Sequence, residues 1–219
     1  RGWFISKYLK WWLKRADKVI VVSETTQNIL RENGIKSQVI YNTFDTNVIP
    51  ARAGIYAKDS PLGQNKKTIL FVGKPSYGKG YDLFLSLSRN KLFKNYNFKT
   101  IGGENKLGYC DTLKEIEQAL IVVVPSRWPE PFGRVALESV TMGVPVLTTN
   151  MGGLPEIIED GKFGYVCSPE IKSLIFGLKK IIKNNVKLRR IIRKQTRILT
   201  DKFQSQPLTM HLNLYNEII

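Results

Sequence analysis

Residues 120–166, LIVVVPSRWPEPFGRVALESVTMGVPVLTTNMGGLPEIIEDGKFGYV, restrict the fold more than any other stretch of the chain. The run Leu120–Val124 is short, apolar and rich in β-branched residues, which predicts a strand buried on both faces. Pro125 stops it, and the loop Ser126–Pro131 carries the acid Glu130 onto the C-terminal edge of a sheet. A helix is predicted from about Gly133, with Val135, Ala136, Val140 and Met142 turned to a core and Gly143 closing it. Pro145 opens the next strand, where a missing N–H costs little. After Gly152-Gly153, Pro155 falls in the first turn of another helix. Two successive βα loops, one acidic and one glycine-rich, thus face one end of one sheet, the end where open α/β sheets bind ligands.

The order of these motifs is specific. Pro125-Ser126, Glu130-Pro131-Phe132-Gly133, Gly143-Val144-Pro145-Val146 and Gly152-Gly153-Leu154-Pro155-Glu156 together resemble the E-x7-E segment, and the segment after it, of the retaining GT-B-fold glycosyltransferases of family 4. Glu130 and Glu138 stand as the two acids. A lone pair of glutamates at that spacing would carry no information, whereas four motifs in sequence do. The resemblance implies an α/β fold. Its body is a Rossmann-like parallel sheet with flanking helices, the C-terminal half of a GT-B fold, preceded by an N-terminal βαβ remnant.

Composition narrows the alternatives. Two cysteines without a CxxC pair, and a single histidine, His211, exclude a disulfide scaffold and a zinc cluster and point to a reducing compartment. No apolar run approaches about 20 residues, so no membrane-spanning segment is predicted. The expectation is a cytoplasmic chain, with a peripheral position at the inner membrane face as its variant. Arg1 opens the chain and no methionine precedes Met142, which reads as a cut N-terminus. The net charge of +16 attracts anions such as nucleotide diphosphates, anionic lipid or nucleic acid, although most individual lysines read as solvated surface.

At the start, GWFISKYLKWWLKRADK places Phe4, Tyr8, Trp11 and Trp12 near helical spacing among Lys7, Lys10, Lys14 and Arg15. Two readings stand side by side: a helix lying in an anionic membrane interface, and a helix packing its aromatics onto a sheet. A strand at 18–23, a helix at 25–33 closed by Gly34 and a short strand at 38–40 follow. This segment resembles the last βαβ unit of the family's N-terminal domain, with Asn42-Thr43 where the family has Asn-Gly. The predicted divisions are residues 1–45 as the end of an acceptor domain, 46–67 as linker, 68–204 as donor-binding domain and 205–219 as a helix crossing back. Pro50, Gly54, Pro61 and Gly63 mark the linker.

After the strand Thr68–Val72, Gly73, Gly78 and Lys79 fit the spacing of a Walker A phosphate loop. Gly80 stands where that motif needs a Mg²⁺-binding hydroxyl, Pro75 removes an N–H, and the strand at 120–124 ends in Pro125-Ser126 rather than an Asp. By the family resemblance, Lys79 and Lys74 instead hold the donor diphosphate, Lys74 replacing the usual arginine. Farther on, 96–103 reads as a strand ending in glycines, and the helix after it carries Glu115 and Glu117 on its surface. That connection is shorter than is usual in the family, in the region that reads the nucleobase, so base identity stays open. Residues 169–203 read as a helix with Leu174, Ile175, Leu178, Ile181 and Ile182 on one face. Its run KLRRIIRKQTR lacks the aromatics that stack on bases, so nucleic acid is not an expected partner.

The resemblance implies transfer of a sugar from a nucleoside diphosphate sugar to the hydroxyl of a carbohydrate or glycolipid acceptor, with retained anomeric configuration. It assigns catalysis to Glu130, Lys79 and Lys74, and donor contacts to Gly73, Ser126, Phe132, Gly133, Arg134, Glu138, Gly152, Gly153 and Leu154. No DxD pair is present, and neither a metal nor a cofactor is expected. Two other classes remain: a P-loop-like nucleotide binder, and a basic domain that binds a membrane or partner. Residues 1–44 are the expected surface for self-association or a partner chain, and the chain alone is expected to bind donor without turnover.

Overall fold

The computed structural model describes residues 6–43 and 67–218. The predicted linker falls almost wholly outside them, as do Trp3 and Phe4. Helix α1 (Lys7–Leu13) starts at Ser6, whose hydroxyl accepts from the Leu9 amide. Tyr8, Trp11 and Trp12 are exposed on it, while Leu13 packs against a small core of Val21, Leu30 and Ile35. That core belongs to a compact β1–α2–β2 unit: β1 (Ile20–Val21), α2 (Glu24–Glu32) and β2 (Gln38–Val39), the two strands parallel. Ser23 caps α2 by accepting from Thr26. The strands are shorter than the sequence pattern predicts, because only these residues find pairing partners.

The main body is a five-stranded sheet, parallel throughout. It comprises β3 (Thr68–Val72), β4 (Asn97–Ile101), β5 (Ile121–Val124), β6 (Val146–Thr149) and β7 (Gly164–Cys167), in the order β4-β3-β5-β6-β7. Between them run α3 (Tyr81–Ser88), α4 (Tyr109–Gln118), α5 (Arg134–Thr141) and α6 (Leu154–Ile158). The central strands β3 and β5 are apolar on both sides because both sides are covered. Ile69, Phe71, Ile121, Val123 and Leu147 enter one core with α3; Leu70, Val122 and Val146 enter the other with α4, α5 and α6.

Helix α7 (Ile171–Thr200) spans about 45 Å. Its first half packs Leu174, Leu178 and Ile181 on the first core, and farther along Ile192 and Leu199 join the second. The predicted break near residue 204 is one π turn, Asp201–Ser205, leading into α8 (Gln206–Ile218). The buried Arg189 is anchored by the carbonyls of Ala119, Leu120 and Gly143 and by Asn185. Burial pulls its pKa down to about 10.

One carboxylate ties the small unit to the large one. Glu156 on α6 accepts from the backbone amides of Glu24 and Thr25, both at 2.9 Å, and from the Thr25 hydroxyl at 2.7 Å. It thereby satisfies the free amides at the start of α2. Beside it, Tyr41 sits against Phe132 and Phe203, with ring centroids 6.0 and 5.1 Å away.

Candidate active site

The chain leaves β3 towards β4 on one side and returns to β5 on the other, so the loops after β3 and β5 part at the centre of the sheet. Such a switch point leaves a crevice at the strands' C-terminal ends. Here it holds a cavity of about 340 Å³. Of the sequence-predicted residues, Gly73, Lys79, Ser126, Glu130, Phe132, Gly133 and Arg134 line it, joined by Asn42 from the small unit.

The glycine loop after β3 does not form an open phosphate cradle; it lies on its neighbour. The amides of Arg127 and Trp128 donate to the Gly78 carbonyl at 2.9 and 2.8 Å. Gly80 has φ +67°, and a Cβ there would stand 1.8 Å from the Pro125 carbonyl oxygen. The position that a Walker motif gives to a metal-binding hydroxyl therefore has no room for any side chain. This close approach directs Lys79 inwards, to the loop after β5.

Glu130 is 9% exposed, and its Oε1 accepts from Lys79 Nζ and from Ser126 Oγ, each at 2.6 Å. The Lys79 side chain keeps 43% of its surface, so the ammonium meets solvent while the carboxylate faces protein. Below them α5 begins at Arg134, and its first amides have no acceptor within the helix. A basic side chain, a second basic side chain at Arg134 and a helix N-terminus thus converge on one cavity, an arrangement suited to an anion.

Glu138 lies on the second turn of α5, 6% exposed. It accepts from Arg134 Nη2 at 3.2 Å and from the Tyr109 hydroxyl at 3.3 Å. Burial raises its pKa, and Arg134 and Tyr109 offset part of that rise. Tyr109 is the residue that sequence reasoning missed. It opens α4 directly after the Gly108 N-cap, and only the fold brings it to a helix 29 positions later. Burial, then the charge of Glu138, raises the Tyr109 pKa.

Lys74 is exposed and does not line the cavity. Nor do Glu138, Gly152, Gly153 and Leu154. The glycine pair packs against the acidic loop itself: Gly152 forms a bridge with Glu130, and the Gly153 amide donates to the Glu130 carbonyl at 2.8 Å. A Cβ on Gly152 would come within 2.1 Å of that same oxygen. Leu154 is fully buried, its side chain against Gly133. These three residues set the position of Glu130 from behind. Glu115, read as surface, meets Lys99 at 2.7 Å.

The parallel sheet with a crevice at its switch point is the fold of the GT-B glycosyltransferases. Comparison with known proteins agrees. Residues 106–198 match the family "Glycosyl transferases group 1" and residues 1–48 match "Glycosyltransferase Family 4". An uncharacterized glycosyltransferase of Methanocaldococcus jannaschii is 30% identical over 203 residues, which cover 76% of this chain and 51% of the relative. Sucrose-phosphate synthase of Thermosynechococcus elongatus superposes with a TM-score of 0.75 at 21% identity, over 95% of this chain and 60% of that one. Anabaena HepE in complex with UDP-glucose gives 0.74 at 21%, over 97% and 66%. The chain thus carries glycosyltransferase domains over residues 1–48 and 106–198 and has the fold of the GT-B glycosyltransferases. It spans between a third and about half of the length of the first curated relatives.

Proposed function

We propose that this chain supplies the donor-binding half of a retaining glycosyltransferase that moves a sugar from a nucleoside diphosphate sugar to an acceptor hydroxyl. The observation that carries this reading is the cluster Lys79–Glu130–Ser126 at the mouth of α5. A diphosphate entering the cavity would meet Lys79, Arg134 and the amides at the start of α5. It would compete with Glu130 for Lys79. Each exchange of partner frees the Glu130 carboxylate to accept from hydroxyls of the donor sugar. Glu138, close behind on the same helix, is suited to accept from ribose hydroxyls once Tyr109 moves aside.

The reaction breaks the bond from the anomeric carbon to phosphate oxygen and forms one to the acceptor oxygen. The bond electrons leave with the nucleoside diphosphate, and the acceptor proton is lost to it or to solvent. Charge builds on the departing diphosphate, and fixed cations stabilise it most where water is excluded. Lys79 and Arg134 supply that charge in this reading, without a metal. A carbohydrate or glycolipid is the proposed acceptor. The relatives' greater length supports an acceptor side built by further chain, so donor binding without turnover is proposed for these 219 residues.

Calorimetric titration with UDP, GDP, ADP and CMP, each with and without Mg²⁺, tests the reading. Binding of one diphosphate, equal in both conditions, is the expected result. Binding that needs Mg²⁺, or none at all, would sink it.

A further inference from the structure

A second surface lies at the opposite end of the molecule. Residues 91–96 lead into β4, so they sit at the strands' N-terminal ends, away from the cavity. There Leu92 and Phe176 are 59% and 69% exposed, flanking a groove of about 720 Å³ floored by Phe93 and Tyr96. Scattered apolar residues on a surface need no explanation, but these two stand together within a ring of cations.

The charge is what distinguishes this face. Helix α7, residues 171–200, contains ten lysines and arginines and no carboxylate. Residues 91–96, which form the other wall, add Lys91 and Lys94, again with no acid. Lys172, Phe176, Lys179, Lys183 and Lys187 recur every three or four residues, so they form one outward stripe, opposite the buried Leu174, Leu178 and Ile181. Among the described residues, Lys91, Lys94, Lys179 and Lys183 enter no ion pair. A protein partner of ordinary composition would leave these charges to be desolvated singly. An anionic bilayer accepts them all at headgroup level, and its acyl region takes the two apolar side chains.

We propose that this face, centred on Leu92, Phe176, Lys179 and Lys183, docks the chain onto an anionic lipid bilayer. The groove holds two aliphatic or ring side chains at its rim rather than a row of stacking aromatics, which favours lipid over nucleic acid. The site is separate from α1, whose exposed Trp11 and Trp12 provide an internal comparison.

Co-sedimentation of the 219-residue chain with vesicles of phosphatidylcholine, alone or mixed with phosphatidylglycerol, tests it. The chain should pellet with the anionic vesicles only, and less as salt rises. The double variant K179E/K183E should lower that affinity at least tenfold, and F176A severalfold, with circular dichroism unchanged. All three positions are exposed, so folding should survive. The variant W11S/W12S should retain most of the binding. Equal pelleting with neutral vesicles, no effect of K179E/K183E, loss in W11S/W12S alone, or tighter binding to a single-stranded oligonucleotide than to vesicles would each overturn the proposal.

Discussion

At the scale of single residues, Lys79 and Glu130 hold each other at 2.6 Å, and this makes their variants behave oppositely. Lys79→Ala should weaken nucleoside diphosphate binding by about 1–3 kcal/mol, the range for a charge-assisted hydrogen bond. Glu130→Gln releases the ammonium, so the free nucleotide should bind as well or better while the nucleotide sugar binds more weakly. Calorimetry on both ligands reads the split, and parallel losses would show that the two roles were divided wrongly. Glu138 offers a test in pH. Its folded pKa is raised, mainly by burial, so ionisation costs stability. The stability it contributes is full below the ordinary carboxylate pKa and is lost as pH rises through the folded value. Glu138→Gln should therefore raise the melting temperature near neutral pH, with the gain vanishing below about pH 4. A gain of the same size at both pH values would contradict this account. The place of Glu130 at the C-terminal edge of the sheet was legible from motif order. Tyr109 was not, since a tyrosine after a glycine carries no signal until the fold sets it against α5.

At the scale of elements, the site exists because loops from different strands touch backbone to backbone. Gly80 and Gly143 show how much of that is space and how much conformation. Both have positive φ, +67° and +78°, but a Cβ on Gly143 would have nothing within 4 Å, whereas one on Gly80 would meet Pro125 at 1.8 Å. Gly143→Ala should cost about 1–2 kcal/mol, the strain of a left-handed residue alone. Gly80→Ala should cost about 3 kcal/mol or more, since the loop must also move. Urea unfolding of both compares them, and equal costs would mean that the loops yield freely. The Walker-like letters Gly73, Gly78 and Lys79 illustrate the limit of element-level reading. They place a strand, a loop and a helix correctly, yet only packing against Pro125 separates a docked loop from a phosphate cradle.

For the molecule as a whole, Glu156 is the coupling residue, since it closes the N-terminus of α2 from the far side of the chain. Glu156→Ala should loosen the β1–α2–β2 unit by about 1–2 kcal/mol, roughly the worth of a lost cap. Hydrogen exchange at Glu24–Leu30 should quicken while β3 and β5 stay protected, and uniform quickening would place the effect in the large core instead. Local order is written in the residues alone: apolar runs bounded by Pro and Gly at 68–72, 120–124 and 145–149, and the motifs at 125–133 and 152–156. These follow from steric and solvation rules that act over a few residues, so neighbours along the chain suffice to read them. Which of the predicted ligands share a cavity is a matter of tertiary packing. Lys79 and Glu130 are 51 positions apart, and Thr25 and Glu156 are 131 apart. Lys74, five residues before Lys79, stays outside the cavity, and the glycine pair at 152–153 supports Glu130 from behind. Strand order and loop contact set those distances, through the sum of many weak packing terms that no local pattern records.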